Sequence, residues 1–134
     1  MFCTLPVILM TTVGGAAFVA APPRAGLASW CGEEHRGKLM ANGQPFNPDE
    51  FTAASWFYPF GTRVRVSALT GAGQTNSVEV TITDRGPAHR LVQDEGRIID
   101  LSLVAFQTLA PPSLGLIRVR LESAAETPHE SGQE

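Results

Sequence analysis

The densest group of reactive side chains is Asp84-Arg85-Gly86-Pro87. A carboxylate and a guanidinium stand side by side, and Gly-Pro turns the chain away directly after them. The stretch before them alternates Val78, Val80 and Ile82 with Glu79, Thr81 and Thr83, the pattern of a half-buried strand. A charged pair at the end of a strand is where a rigid scaffold presents chemistry. For Asp84 that chemistry is proton transfer. Its pKa, ordinarily about 4, must then be raised by burial or a like charge, and a guanidinium aimed at it would act the other way. The same residues also suit a plain turn in which Asp84 accepts backbone amides and Arg85 is solvated. Asp100, in Arg97-Ile98-Ile99-Asp100-Leu101, is a second carboxylate in an apolar run, and on local pattern it can cap a helix.

Other chemistries find little footing. His35, His89 and His129 are scattered through polar stretches, and no His, Cys or Asp cluster has metal-ligand spacing, so neither a metal nor a cofactor is expected. The formal net charge is −3, from 10 basic and 13 acidic residues, and the excess lies in the tail after Glu122. No basic stripe suits nucleic acid.

The elements that must position these residues belong to one modest domain, all that 134 residues allow. Leu5 to Ala20 is apolar and uncharged, and Val19-Ala20-Ala21 offers small residues for cleavage near Ala21. Residues 1–21 therefore read as a signal peptide, or else as a short N-terminal anchor, and the protein as exported. Cys3 lies too early to accept a lipid, so no lipoprotein is expected. With the leader removed, Cys31 would stand alone without an internal disulfide and pack as a small hydrophobe.

A first strand is expected over Arg24 to Cys31, with Leu27, Ser29 and Cys31 on one face and Ala28 and Trp30 on the other. Gly32 to Asp49 is loop-like, with an Asn42-Gly43 turn signal. Thr52 to Ser55 suits one helical turn capped by Thr52. Trp56 to Gly61 is an aromatic cluster that reads chiefly as core. Thr62–Leu69 alternates, with Val64, Val66 and Ala68 inward, and should form a hairpin with the strand ending at Asp84. His89 to Gly96 is polar, Arg97–Leu101 is a short strand, and Ser102–Leu109 suits a helix capped by Asp100 or Ser102. Leu114–Leu121 makes the last strand, and residues 123–134 have the composition of a disordered tail. Short strands at close spacing indicate a compact β-barrel.

Six strings in order are similar to the rare lipoprotein A family. They are Gly26-Leu27-Ala28-Ser29-Trp30, Ala41-Asn42-Gly43, Thr52-Ala53-Ala54, Pro59-Phe60-Gly61-Thr62-Arg63-Val64-Arg65-Val66, Thr83-Asp84-Arg85-Gly86-Pro87 and Arg97-Ile98-Ile99-Asp100-Leu101-Ser102. The resemblance spans about Gly26 to Leu121 and implies a six-stranded double-psi β-barrel, mainly β with one or two short helices, over residues 22–122. It further implies a protein acting on peptidoglycan glycan strands in the periplasm or cell envelope; a monomer is expected. The implied activity is endolytic lytic transglycosylation, which cleaves between N-acetylmuramic acid and N-acetylglucosamine and leaves 1,6-anhydro ends. Where the family usually carries Glu after Ala-Asn-Gly and His after Thr-Ala-Ala, this chain has Gln44 and Ser55. Membrane-bound lytic transglycosylase A and bacterial expansins share this barrel and use an Asp placed like Asp100, with a second like Asp84. The resemblance thus implies Asp84 and Asp100 as the catalytic pair, with Gln44, Ser55, Thr52 and Arg85 binding sugar. The alternative it leaves open is a non-catalytic, expansin-like module that binds or loosens wall glycan.

Overall fold

In a computed structural model, residues 22–69 and 76–124 are described. The expected leader at 1–21, most of the hairpin loop (70–75) and the tail beyond 124 lie outside the described residues. Alternating apolar residues build six strands: β1 (Ala25–Cys31), β2 (Thr52–Ala54), β3 (Arg63–Ala68), β4 (Ser77–Asp84), β5 (Arg97–Ser102) and β6 (Ile117–Ser123). They close into a barrel in the order β1-β5-β2-β4-β3-β6. The pairs β1·β5 and β2·β4 are parallel, and the other four are antiparallel. This is the double-psi β-barrel expected from the sequence. The hairpin of β3 and β4 forms as expected, with Val64 opposite Val80 and Val66 opposite Val78.

The core follows from the alternation. Val64, Val66, Val80, Ile82, Ile99 and Val119 are buried to 1% exposure or less, and Ala28 and Ala53 let opposing strands approach. Helix α2 (Leu103–Leu109) closes one end by inserting Ala105, Phe106 and Leu109. Phe106 meets Trp30 at a ring separation of 6.3 Å, and Trp30 Nε1 donates to Pro112 O. Gly26 is required by the close approach of β1 to β5, since a Cβ there would lie 2.9 Å from Gly96 O. The opposite face of β1 carries Ser29 and Cys31. Cys31 packs with Met40 and Phe46 in a second apolar cluster, beneath the loop that follows β1.

Several local expectations are corrected. Thr52 to Ala54 is strand β2, not a helical turn, because β4 and β5 flank it and take up its backbone groups. His89–Glu95 is a helix, α1, which buries no residue and ends at Gly96 with φ 72°. Ser102 stands at the N-cap of α2 but makes no capping bond. The last strand, β6, runs from Ile117 to Ser123 instead of from Leu114 to Leu121, and Ser123 pairs with Val64. Cys31 is disulfide-bonded. The expectation of a lone cysteine assumed that the leader is removed.

Candidate active site

One small residue organises the site. Ala54 of β2 pairs with Asp84 of β4 on one side and Asp100 of β5 on the other. Directly paired residues share a face, so both carboxylates flank a single methyl group. At ordinary strand spacing their Cα atoms lie ~10 Å apart, close enough for side chains to approach over Ala54. The row continues to Ser29 of β1, the partner of Asp100 in the parallel pair.

Asp84 reaches this face through an irregularity. Strict alternation from Val80 and Ile82 would turn it toward the barrel interior. The β2·β4 register shifts between Ala53 and Ala54: Ala53 pairs with Ile82, but Ala54 pairs with Asp84. Thr83 is the extra residue, and the bulge turns Asp84 to the side of Ala54.

Both aspartates are 3% exposed. The amides of Ala41 and Arg85 donate to Asp84 Oδ1 at 2.8 Å each. The first of these bonds ties the Ala41-Asn42-Gly43 turn onto the barrel. That turn is closed by Gly43 N to Met40 O at 2.9 Å and by Gln44 N to Asn42 Oδ1 at 2.9 Å. Burial pushes the Asp84 carboxyl up to about 6, against the pull of the two amides and the Arg85 charge. Ser29 Oγ donates to Asp100 Oδ1. Burial also raises Asp100 to about 6; Ser29 and Arg97 oppose the rise, and the Asp84 charge adds to it.

Arg85 does not aim at Asp84. Its Nη1 donates to Ser55 O at 2.8 Å and Tyr58 O at 2.9 Å, and its guanidinium lies 4.0 Å from the centre of the Phe60 ring. It therefore pins the Trp56–Gly61 segment to the end of β4. Tyr58 in that segment is buried in the core, as expected of the aromatic cluster, while Phe60 is 41% exposed.

A cavity of about 10 Å³ is lined by Asp84, Asp100, Ser102, Ala54, Thr52 and Thr83, with Cys31, Met40 and Phe46 among its apolar walls. A groove of about 490 Å³ adjoins it, sharing Met40, Phe46, Thr52 and Thr83 and adding Gln44, Asn42, Asn47, Arg36 and Glu50. Asp84, Asp100 and Thr52 thus come together, with the exposed Gln44 in the adjoining groove. Ser55 and Arg85 line neither space. Ser55 is fully buried, and its Oγ accepts from the amide of Phe57. Among the described residues, no three His, Cys, Asp or Glu side chains converge as metal ligands would.

Sequence reading did not assign Ser29, Ala54 or Ala41 to the site. The alternation placing Ser29 with Cys31 was visible, but the in-register pairing across three strands was not.

Residues 24–121 match the lytic transglycolase family. The chain is 43% identical over 99 residues to a probable endolytic peptidoglycan transglycosylase RlpA of Synechocystis, covering 74% of this chain and 28% of that protein. It is 36% identical over 98 residues to the endolytic peptidoglycan transglycosylase RlpA of Vibrio cholerae, covering 73% of this chain and 34% of that one. The chain thus spans about a third or less of these relatives. Among solved structures, a Clavibacter michiganensis expansin superposes with a TM-score of 0.55 at 22% identity, covering 75% of this chain and 50% of the expansin. Cerato-platanin 2 of M. perniciosa superposes with a TM-score of 0.50 at 15% identity, covering 75% of this chain and 94% of that one. These two likenesses concern the fold. By its matched residues the chain belongs to the lytic transglycolase family.

Proposed function

We propose that this barrel is an exported enzyme of the cell envelope that cleaves peptidoglycan glycan strands as an endolytic lytic transglycosylase. The observation that carries the reading is the in-register pair Asp84–Ala54–Asp100 beside an open groove. The names of the relatives supply the substrate class.

Asp84 in its acid form gives its proton to the glycosidic oxygen between N-acetylmuramic acid and N-acetylglucosamine as the bond to C1 breaks. The positive charge that develops at C1 is steadied by carboxylate charge in the site. The C6 hydroxyl of the same muramyl residue then closes on C1 and returns a proton to Asp84. No water is consumed, and the product carries a 1,6-anhydro ring. A carboxyl that titrates at about 6 retains a usable acid fraction near neutral pH, which an ordinary aspartate would not. In this reading Asp100 is the second carboxylate, and Gln44 and Thr52 contact sugar along the groove.

The test is digestion of purified peptidoglycan, with and without stem peptides, followed by mass spectrometry for 1,6-anhydromuramyl ends. Such ends are expected, with a loss of at least a hundredfold in Asp84→Asn. Binding to glycan with no anhydro ends would overturn the enzyme reading. It would favour instead a non-catalytic module that binds or loosens wall glycan. One feature favours that second reading: Gln44 can hydrogen-bond a sugar but cannot exchange a proton with it. A large gain of activity in Gln44→Glu would show that the groove lacks an acid it could use.

A further inference from the structure

Two polar atoms of residues lining the small cavity have no hydrogen-bond partner among the described residues: Asp100 Oδ2 and Ser102 Oγ. Both residues are nearly inaccessible, Asp100 at 3% and Ser102 at 1%, and both line the cavity together with Asp84. Ser102 is free for this role because it makes no capping bond to α2. A cavity of about 10 Å³ admits one water molecule and nothing larger. Buried polar atoms are satisfied by protein or by ordered water, and Asp100 and Ser102, two residues apart on β5, line the same cavity.

We propose that this cavity binds one water molecule, held by Asp100 Oδ2 and Ser102 Oγ, that carries protons between Asp100 and Asp84. The inference rests on the reading of the two aspartates as the reacting pair, and it assigns Ser102 and Ser29 as positioning residues. Ser29 occupies Asp100 Oδ1, which leaves Oδ2 to the cavity. The two amides on Asp84 Oδ1 leave its other oxygen for the relay.

The transfer balances. Once Asp84 has given its proton to the leaving oxygen, Asp100 Oδ2 passes a proton to the water, and the water releases another to Asp84. The water is regenerated, and one negative charge has moved from Asp84 to Asp100. The relay then runs backwards, returning a proton through the water to Asp100 and leaving Asp84 ionised, and the C6 hydroxyl gives its proton to Asp84 as it closes the ring. The charged groups acting on Asp100 are Asp84 across β2 and Arg97 on its own strand, with the neutral Ser29 donating from β1. Asp84 is thus the group that couples to it with like charge.

The experiment uses the full chain. A high-resolution crystal structure is expected to show a water within hydrogen-bonding distance of Asp100 Oδ2 and Ser102 Oγ. Carboxyl ¹³C NMR should show the midpoints of Asp84 and Asp100 moving together, so that Asp84→Asn lowers that of Asp100. Ser102→Ala removes the hydroxyl that orients the water toward the Asp100 carboxylate. It is expected to raise the Asp100 midpoint, move the alkaline limb of the pH–rate profile the same way, and lower kcat about tenfold with KM unchanged. Ser102→Thr keeps a hydroxyl and should restore all three. A cavity without water density where surface waters are ordered would overturn the proposal, and so would an Asp100 midpoint unmoved by Ser102→Ala. If Ser102→Ala does not fold, the wild-type density and the Asp84→Asn titration still decide. If the water and the coupled titration are found but no anhydro ends form, the relay site stands and the transglycosylase reading fails.

Discussion

Arg85 shows how a charged residue beside a catalytic candidate can belong to the scaffold. Its guanidinium satisfies the carbonyls of Ser55 and Tyr58 and stacks on Phe60. The planar fork suits two acceptors and an aromatic face at once, which an ammonium cannot match. This also lets Asp84 keep a raised pKa with a guanidinium next to it in sequence: the charge is turned toward the aromatic segment, and burial prevails. Arg85→Ala is therefore expected to destabilise the protein by about 2–4 kcal/mol in urea unfolding, with Arg85→Lys recovering less than half. Glycan affinity measured on the folded fraction should change little. A tenfold loss of affinity with unchanged stability would instead make Arg85 a sugar ligand.

At the scale of elements, β2 is the shortest strand and the one that creates the site. Its three residues bridge β4 and β5, and its bulge turns Asp84 onto the face of Asp100. Ala54 works because it is small. Ala54→Val is expected to cost about 1–3 kcal/mol by overpacking and to push the carboxylates out of register. Release of anhydro ends should then fall by tenfold or more, since small displacements of reacting groups are costly. Retained activity would show that the spacing over Ala54 does not matter. The long alternating strands were legible in the sequence because Val64, Val66, Val80 and Ile82 repeat with period two over enough residues. β2 was not, since Thr-Ala-Ala is shorter than any periodicity and its identity comes from its neighbours. α1 was missed because Leu91 and Val92 form no stripe and the helix buries nothing. The meeting of Asp84 and Asp100 came from family resemblance, because local pattern offers only a turn for one and a helix cap for the other. The bulge at Thr83 left no local mark, as threonine suits either face.

At the scale of the whole molecule, two carboxyls are buried where ionisation opposes folding. Asp84 and Asp100 titrate at about 6 in the fold, against 3.8 for an ordinary aspartate. Between these values the folded protein holds protons that the unfolded chain has released. The stability these two carboxyls contribute is therefore fully present below about pH 4 and is lost as the pH rises through 6. For one fully buried group the loss is on the order of 3 kcal/mol, a large share of the stability of a small domain. The fold accepts this because the acid form of the pair is what the proposed reaction uses. Asp100→Asn retains the shape and an acceptor for Ser29 without the buried charge. Unfolding by guanidinium across pH 4 to 8 should show wild-type stability declining, while Asp100→Asn declines by roughly half as much and exceeds wild type at pH 7.5 by about 2–3 kcal/mol. Should Asp100→Asn be less stable than wild type at pH 7.5, the Asp100 carboxylate is held by favourable bonds in its ionised form, and the pair is not poised as an acid.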